Sequence, residues 1–279
     1  MARPHKITAV CMTRCALFFV PRVQPDCRCA TKASQAFRYG GTRLKVRMLD
    51  HFCFILTGAG LLLVGLIAMM MCALNWPLRP DARLSLSIIG SPEHLFPAQI
   101  DDVAAVWSVE AADGRQGIAI GDSAGGNLSA GLCFRMRRTG GPMPLAQVLI
   151  YPGLGGDMDA PSYIDNAEAP MLRTQDLKTY AGMLTGGDME LRRSNPEISP
   201  LVAQSFAGLP PAFIVTADID PLRDDGPAYL KALQAEGIDA EWRNEPQLIH
   251  GYLRARHSSA RAAESFRVIC NWINAFLAR

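Results

Sequence analysis

From Pro92 to the C-terminus, short apolar runs alternate with stretches in which apolar residues recur every three or four positions. That alternation predicts βαβ units and a mostly parallel sheet flanked by helices, an α/β fold. Residues 118–120, 147–151 and 212–216 are rich in Ile, Val and Leu and read as buried strands. Residues 225–234 predict a helix closed by Gly237, and DAEWRNE at 239–245 is the strand to which it returns. In the last helix Phe266, Ile269, Trp272, Ile273 and Phe276 fall at spacings of three and four, giving one apolar stripe to lay on a sheet. Between Gly153 and Pro200 the chain is long, polar and broken by Gly and Pro, with helical character around 174–184. A lid over a pocket would sit there. There is no internal repeat.

Ahead of Pro92 the pattern is different. Residues 52–76, FCFILTGAGLLLVGLIAMMMCALNW, form a run of 25 without a charge, long enough to cross a bilayer as a helix. Read literally, it is a membrane anchor. Arg43, Lys45 and Arg47 precede it and Arg79 and Arg83 follow, so the charge bias orients it only weakly.

Charge separates the same two parts. Residues 1–90 hold twelve Lys or Arg against three Asp and no Glu, whereas 91–279 hold sixteen basic and twenty-three acidic groups, so the net +2 hides +9 and −7. An Arg-rich, acid-poor start also has the composition of a transit peptide. Six of the eight cysteines (Cys11, Cys15, Cys27, Cys29, Cys53, Cys72) fall in that first third, leaving Cys133 and Cys270. Their C-x3-C and C-x-C spacings lack a matching His or Cys pair and make no zinc site, and no secretory signal implies disulfides.

The chemistry centres on IAIGDSAGGN at 118–127, where an apolar strand runs into Gly-x-Ser-x-Gly and then into small residues opening a helix to about Met136. This is the context a nucleophile elbow requires. Gly121 and Gly125 leave room for a sharp turn that lifts the Ser123 hydroxyl above the sheet edge. The N–H of Ala124, at the helix start, would point at a developing oxyanion. Asp220, in TADIDPLRDDG, stands just past the end of a strand, where α/β sheets place functional groups; His250, in LIHGY, lies on the loop after the next strand. Each has a plainer reading: Asp220 as a helix N-cap before Pro221, His250 as an ordinary loop histidine like His257. Asp224 and Asp225 are rival acids, but in the first turn of a helix they would serve its dipole. Asp122 reads as structural.

GDSAGGNL, GLPPAFIVTADIDPLRDDG and IHGY together resemble the hormone-sensitive lipase family of α/β-hydrolases, which includes bacterial acetyl and short-chain esterases. The resemblance runs from about Pro92 to the C-terminus and divides the chain into an atypical segment, 1–91, and a hydrolase domain, 92–279, with a lid insertion at about 153–200. It implies Ser123 as nucleophile, His250 as general base and acid, and Asp220 holding the imidazole. The expected function is hydrolysis of short-acyl carboxylic esters through an acyl-enzyme, with no cofactor, metal or nucleic-acid partner, in the cytoplasm.

The family also carries a His-Gly-Gly-Gly loop upstream, which supplies the rest of the oxyanion site; losing one such donor costs roughly 3 kcal/mol of transition-state stabilisation. This chain has no His-Gly-Gly-Gly, and of the family's Asp-Tyr-Arg-Leu-Ala-Pro-Glu-His only Pro92, Glu93 and His94 remain. Shifting the codons of Ser87 to Pro92 by one frame permits Asp-Tyr-Arg-Leu-Ala, and the same shift from Leu56 through Gly60 permits His-Gly-Gly-Gly. Residues from about 43 to 91 are therefore expected to be family sequence in the wrong frame, with the slip near Ser91. Two alternatives to an active esterase follow: an inactive remnant without its oxyanion loop, and a membrane-anchored esterase using 52–76.

Overall fold

The computed structural model gives strands at residues 35–39, 42–46, 51–57 and 82–87 and describes residues 94–279 apart from 113 and 115. Among these residues, β1 (Gln35–Tyr39) and β2 (Thr42–Val46) pair antiparallel as a separate two-stranded sheet. The main sheet consists of β3 (His51–Thr57), β4 (Ala82–Ser87), β5 (Gln116–Asp122), β6 (Ala146–Ile150), β7 (Ala212–Ile219) and β8 (Ala240–Ile249). Its order is β4-β3-β5-β6-β7-β8, every neighbouring pair being parallel.

The central strands read as continuous apolar runs because both of their faces are covered. The alternation of side chains along a strand sorts them. Ile118, Ile120, Val148, Ile150, Phe213 and Val215 pack with Ile269 and Ile273 of α7 (Ala260–Leu277). The apolar stripe of the last helix lies as its spacing predicts, with Trp272 stacked on Phe213 at 5.2 Å between ring centres. On the opposite face, Leu149, Ala212 and Ile214 meet Cys133 and Phe134 of α2 (Ala124–Thr139) and Tyr229 and Leu233 of α6 (Asp225–Ala235). Ala119 meets Val103 and Trp107 of α1 (Ala98–Ala111) on that side. The sheet is thus covered on both faces, and its strand ends are free to carry a site.

One sequence expectation needs correcting. The first part of the charge-free run, Phe52 to Thr57, belongs to β3, held between β4 and β5, and so does not belong to a membrane-crossing helix spanning 52–76. Phe52, Phe54, Ile55 and Thr57 are aromatic or β-branched residues that suit a strand, and an apolar run alone does not distinguish the two. Residues 58–76 lie outside the described residues. Among those described, no helix is long and apolar enough to cross a membrane.

The stretch between β6 and β7 carries α3 (Pro161–Asp165), α4 (Thr174–Thr185) and α5 (Met189–Ser194). It is tied to the body at the start of α6. Asp225 accepts hydrogen bonds from Leu154 N–H at 2.7 Å, Gly156 N–H at 3.3 Å and the Tyr163 hydroxyl at 2.9 Å, and Asp224 accepts one from Ser162 N–H at 2.8 Å.

Candidate active site

β5 ends at Asp122 and α2 begins at Ala124, so Ser123 alone turns the chain. Its φ of 55° and ψ of −122° lie where a residue with a side chain is strained, at a cost of about 1–3 kcal/mol. The surroundings hold it there: Ser123 N–H donates to Ile150 O at 2.9 Å, and Asn127 N–H donates to Ser123 O at 3.1 Å. The flanking glycines have a steric reason. A Cβ on Gly121 would overlap the Gly125 carbonyl, and one on Gly126 would lie 2.8 Å from the Pro152 Cβ. The hydroxyl is consequently presented at the C-terminal end of the sheet.

Two other strand ends converge on it. His250 follows β8, and Gly251, at φ 71°, turns the chain away. Its Nε2 lies 2.8 Å from the Ser123 Oγ, and its Nδ1 lies 2.7 Å from the Asp220 Oδ2. Asp220 follows β7 and is fully buried, and its other oxygen accepts from Leu222 N–H at 3.0 Å. A carboxylate accepts only, so Nδ1 carries the proton and Nε2 presents its lone pair to the serine hydroxyl. The Tyr151 ring meets the imidazole edge-on at 4.9 Å.

The plainer readings fare differently. Asp220 is not an N-cap, because α6 starts only at Asp225 with Asp224 at its N-cap. Asp224 and Asp225 do not chiefly serve the helix either: Asp224 makes no side-chain capping bond, and both carboxylates hold the lid segment. Burial raises the Asp225 carboxyl to about 6, against the pull of its Leu154 and Tyr163 hydrogen bonds. Asp122 accepts from the Tyr151 hydroxyl at 3.1 Å, while its Oδ1 is buried without a partner. Burial pushes this carboxyl up to about 7, opposed by the Tyr151 bond and by the charges of His250 and Arg254.

Ser123 and Ala124 open onto a cleft of about 170 Å³ lined by Met158, Tyr163, Leu172, Leu177 and Leu222, with Arg192 as its one charged residue among the described residues. The N–H of Ala124 lies in the first turn of α2, where helix geometry provides no acceptor. Asn127 donates through its Nδ2 to Gly153 O and Ile198 O, both at 2.7 Å, tying the elbow helix to both ends of the lid segment. The sequence alone did not mark Asn127 or Arg192 as parts of the site, and it assigned Asp225 to the helix dipole. A polar residue among the small residues of the helix's first turn was the one available sign, at Asn127. Opposite the elbow, Leu56 pairs with Gly121 and Thr57 with Asp122, so the chain leaves β3 beside Ser123. Of residues 56–60, where the shifted frame permits His-Gly-Gly-Gly, 56 and 57 end β3 and 58–60 lie outside the described residues.

A larger groove of about 760 Å³ runs between α1, α2 and residues 191–197 but contains none of these groups. Its arginines are engaged: Arg135 and Arg138 with Glu197, and Arg137 with the Ser205 and Ala207 carbonyls. Among the described residues no cluster of His, Cys, Asp or Glu could hold a metal ion.

A parallel sheet with a serine at a strained strand-to-helix turn defines the α/β-hydrolase class. A family profile for the alpha/beta hydrolase fold matches residues 89–254. The chain is 40% identical over 183 residues to carboxylesterase NlhH of Mycobacterium tuberculosis, covering 63% of this chain and 57% of that protein. It is 39% identical over 170 residues to esterase LipI of the same species, covering 58% and 53%. The chain thus spans little more than half the length of these curated relatives. Among solved structures, an esterase of Pyrobaculum calidifontis superposes with a TM-score of 0.72 at 25% identity, covering 88% of this chain and 86% of that one. The chain belongs to the α/β-hydrolase fold-3 family, the hormone-sensitive-lipase-like branch.

Proposed function

We propose that this protein is a serine carboxylic-ester hydrolase acting on short-acyl esters. The observation that carries the reading is the unbroken relay from the Ser123 Oγ through His250 to the buried Asp220, with contacts of 2.8 Å and 2.7 Å, at the mouth of an apolar cleft. His250 Nε2 takes the hydroxyl proton as the Ser123 Oγ attacks the acyl carbonyl carbon. The carbonyl π electrons move onto oxygen, and the Ala124 N–H faces that negative charge. Collapse of the tetrahedral adduct expels the alcohol, which leaves with the proton from His250, and an acyl-serine remains. Water, deprotonated by the same nitrogen, attacks the acyl carbon; the acid departs and Ser123 recovers its proton. Asp220 remains ionised throughout and stabilises the imidazolium. The cleft of about 170 Å³ is smaller than the roughly 300–1,000 Å³ of pockets for drug-sized ligands, which favours a short acyl chain.

Purified protein is to be assayed on 4-nitrophenyl acetate and butyrate beside Ser123→Ala. Turnover that disappears in the variant supports the reading; no turnover, or turnover that persists without Ser123, overturns it.

A second reading concerns residues 43–91. The family match begins at 89, next to the inferred slip at Ser91, and β3 ends beside the elbow, where a second oxyanion donor would be needed. Out-of-frame translation of that segment is proposed on these two grounds. With Ala124 as the only donor, turnover would fall about 100- to 1,000-fold below that of a complete oxyanion site. Reading the nucleotides across the Ser91 codon, with peptide mass spectrometry of the expressed chain, tests it. An uninterrupted frame with N-terminal peptides matching the present sequence would remove it.

A further inference from the structure

We propose that Arg192 selects esters bearing a carboxylate on the arm that enters the lid, such as monoesters of short dicarboxylic acids or esters of hydroxy acids. This rests on the ester-hydrolase reading above and names the substrate class of the same site.

The cleft beside Ser123 is walled by Met158, Leu172, Leu177, Leu184 and Leu222, and Arg192 is the one charged residue lining it among the described residues. Several other arginines have acidic partners: Arg135 and Arg138 share Glu197, Arg173 pairs with Asp176, Arg223 with Asp224 and Arg243 with Glu245, whereas Arg137 and Arg261 are satisfied by backbone carbonyls. Arg192 has none among the described residues. The acids on or next to its own helix do not meet it: Asp188 accepts from Leu191 N–H at the N-cap, and Glu190 forms no ion pair.

The guanidinium is within electrostatic reach of the inner wall. Burial raises the Tyr163 hydroxyl well above its usual range, and the charge of Arg192 is among the effects opposing that rise. A partly buried cation without a counter-ion is unfavourable beside apolar surface. Its planar fork of donors matches the two oxygens of a carboxylate. Tyr180 and Ser199 also line the cleft with hydroxyls that form no hydrogen bond among the described residues. A neutral aliphatic ester would leave the cation and the buried Ser199 hydroxyl unanswered, whereas a carboxylate-bearing ester would pair with the cation and accept from the hydroxyl.

The test compares matched pairs. For the acyl arm, 4-nitrophenyl hemiglutarate is set against 4-nitrophenyl butyrate; for the alcohol arm, 4-acetoxybenzoate against phenyl acetate. In one pair the anionic ester should have the higher kcat/KM. Arg192→Gln should lower that pair's anionic-to-neutral ratio about 10- to 100-fold, Arg192→Lys should retain part of it, and Arg193→Gln should leave the ratio unchanged. The pair affected identifies the arm.

A binding measurement separates the two proposals. Ser123→Ala should bind glutarate or benzoate in calorimetry, and the added Arg192→Gln change should weaken that binding at least tenfold. Anion binding that depends on Arg192 without ester turnover would overturn the hydrolase reading and the substrate assignment built on it. Turnover of neutral esters with the same anionic-to-neutral ratio in wild type and Arg192→Gln would leave the hydrolase and overturn the role of Arg192.

Discussion

Two parts of the molecule meet at Ser123, and they are held by different forces. The proposed triad stands on the ends of β5, β7 and β8, of which β5 and β7 are buried on both faces while β8 is the half-exposed edge strand, and each of its members is fixed by backbone turns within a residue or two of the sheet. The proposed lid segment between β6 and β7 forms a smaller apolar cluster, in which Tyr163 and Leu172 pack on Leu222 of the body. It is fastened to the body by polar ties to Asp224, Asp225 and Asn127, by Glu197 to Arg135 and Arg138, and by Leu154 in the main core. On the proposed reading, chemistry that tolerates little displacement sits on the rigid part, and the walls that would choose the substrate sit on the part that can vary without disturbing the sheet.

Substitutions can break or sharpen that contrast. The largest effect should come from Ser123→Ala, which removes the nucleophile and should reduce ester turnover by at least about 10³-fold while the denaturation midpoint stays close to wild type. Asp220→Asn should lower kcat about 10²- to 10⁴-fold with little change in KM, because an amide no longer holds the Nδ1–H tautomer of His250. Steady-state kinetics checks both. On the other side of the contrast, Asp225→Ala leaves three donors without their acceptor. It should cost about 2–3 kcal/mol in urea unfolding and raise KM more than it lowers kcat. An equal loss in kcat would mean that the lid and the triad are one mechanical unit.

The smallest effect is a pH dependence at Asp122. Its carboxyl is raised from the ordinary 3.8 to about 7 in the folded protein, chiefly by burial. The folded state therefore keeps a proton that the unfolded chain releases, so the stability this group contributes is present below about pH 4 and lost as the pH rises to 7. Asp122→Asn removes the ionisation. The variant should match wild type near pH 4 and be about 1–3 kcal/mol more stable at pH 8. Parallel stability curves for the two proteins would contradict the assignment.

The rigid part was also the legible part. Ile118, Val148 and Ile214 lie in short apolar runs whose length and flanks identify buried strands, and the stripe from Phe266 to Phe276 identifies the helix that covers one face. The elbow was readable because its glycines satisfy a local steric demand. Asp220 and His250 could be read only as an order along the chain, since their convergence depends on three strand ends meeting. The lid ties were not readable: Asp225 reaches Leu154 across seventy-one positions, and nothing near it in sequence distinguishes it from an acid serving a helix start. The apolar run from Phe52 misled for the opposite reason, because a strand with both neighbours in a sheet can be as apolar as a membrane helix.

The most direct measurement is intact-mass and peptide analysis of the protein after reaction with an alkyl fluorophosphonate, which captures an activated serine. The expected result is a single adduct, on Ser123, that is lost in Ser123→Ala and slowed about 100-fold or more in Asp220→Asn. Absence of an adduct on the folded protein, or an adduct at another serine that survives Ser123→Ala, would contradict the assignment of Ser123 as a nucleophile activated by His250 and Asp220.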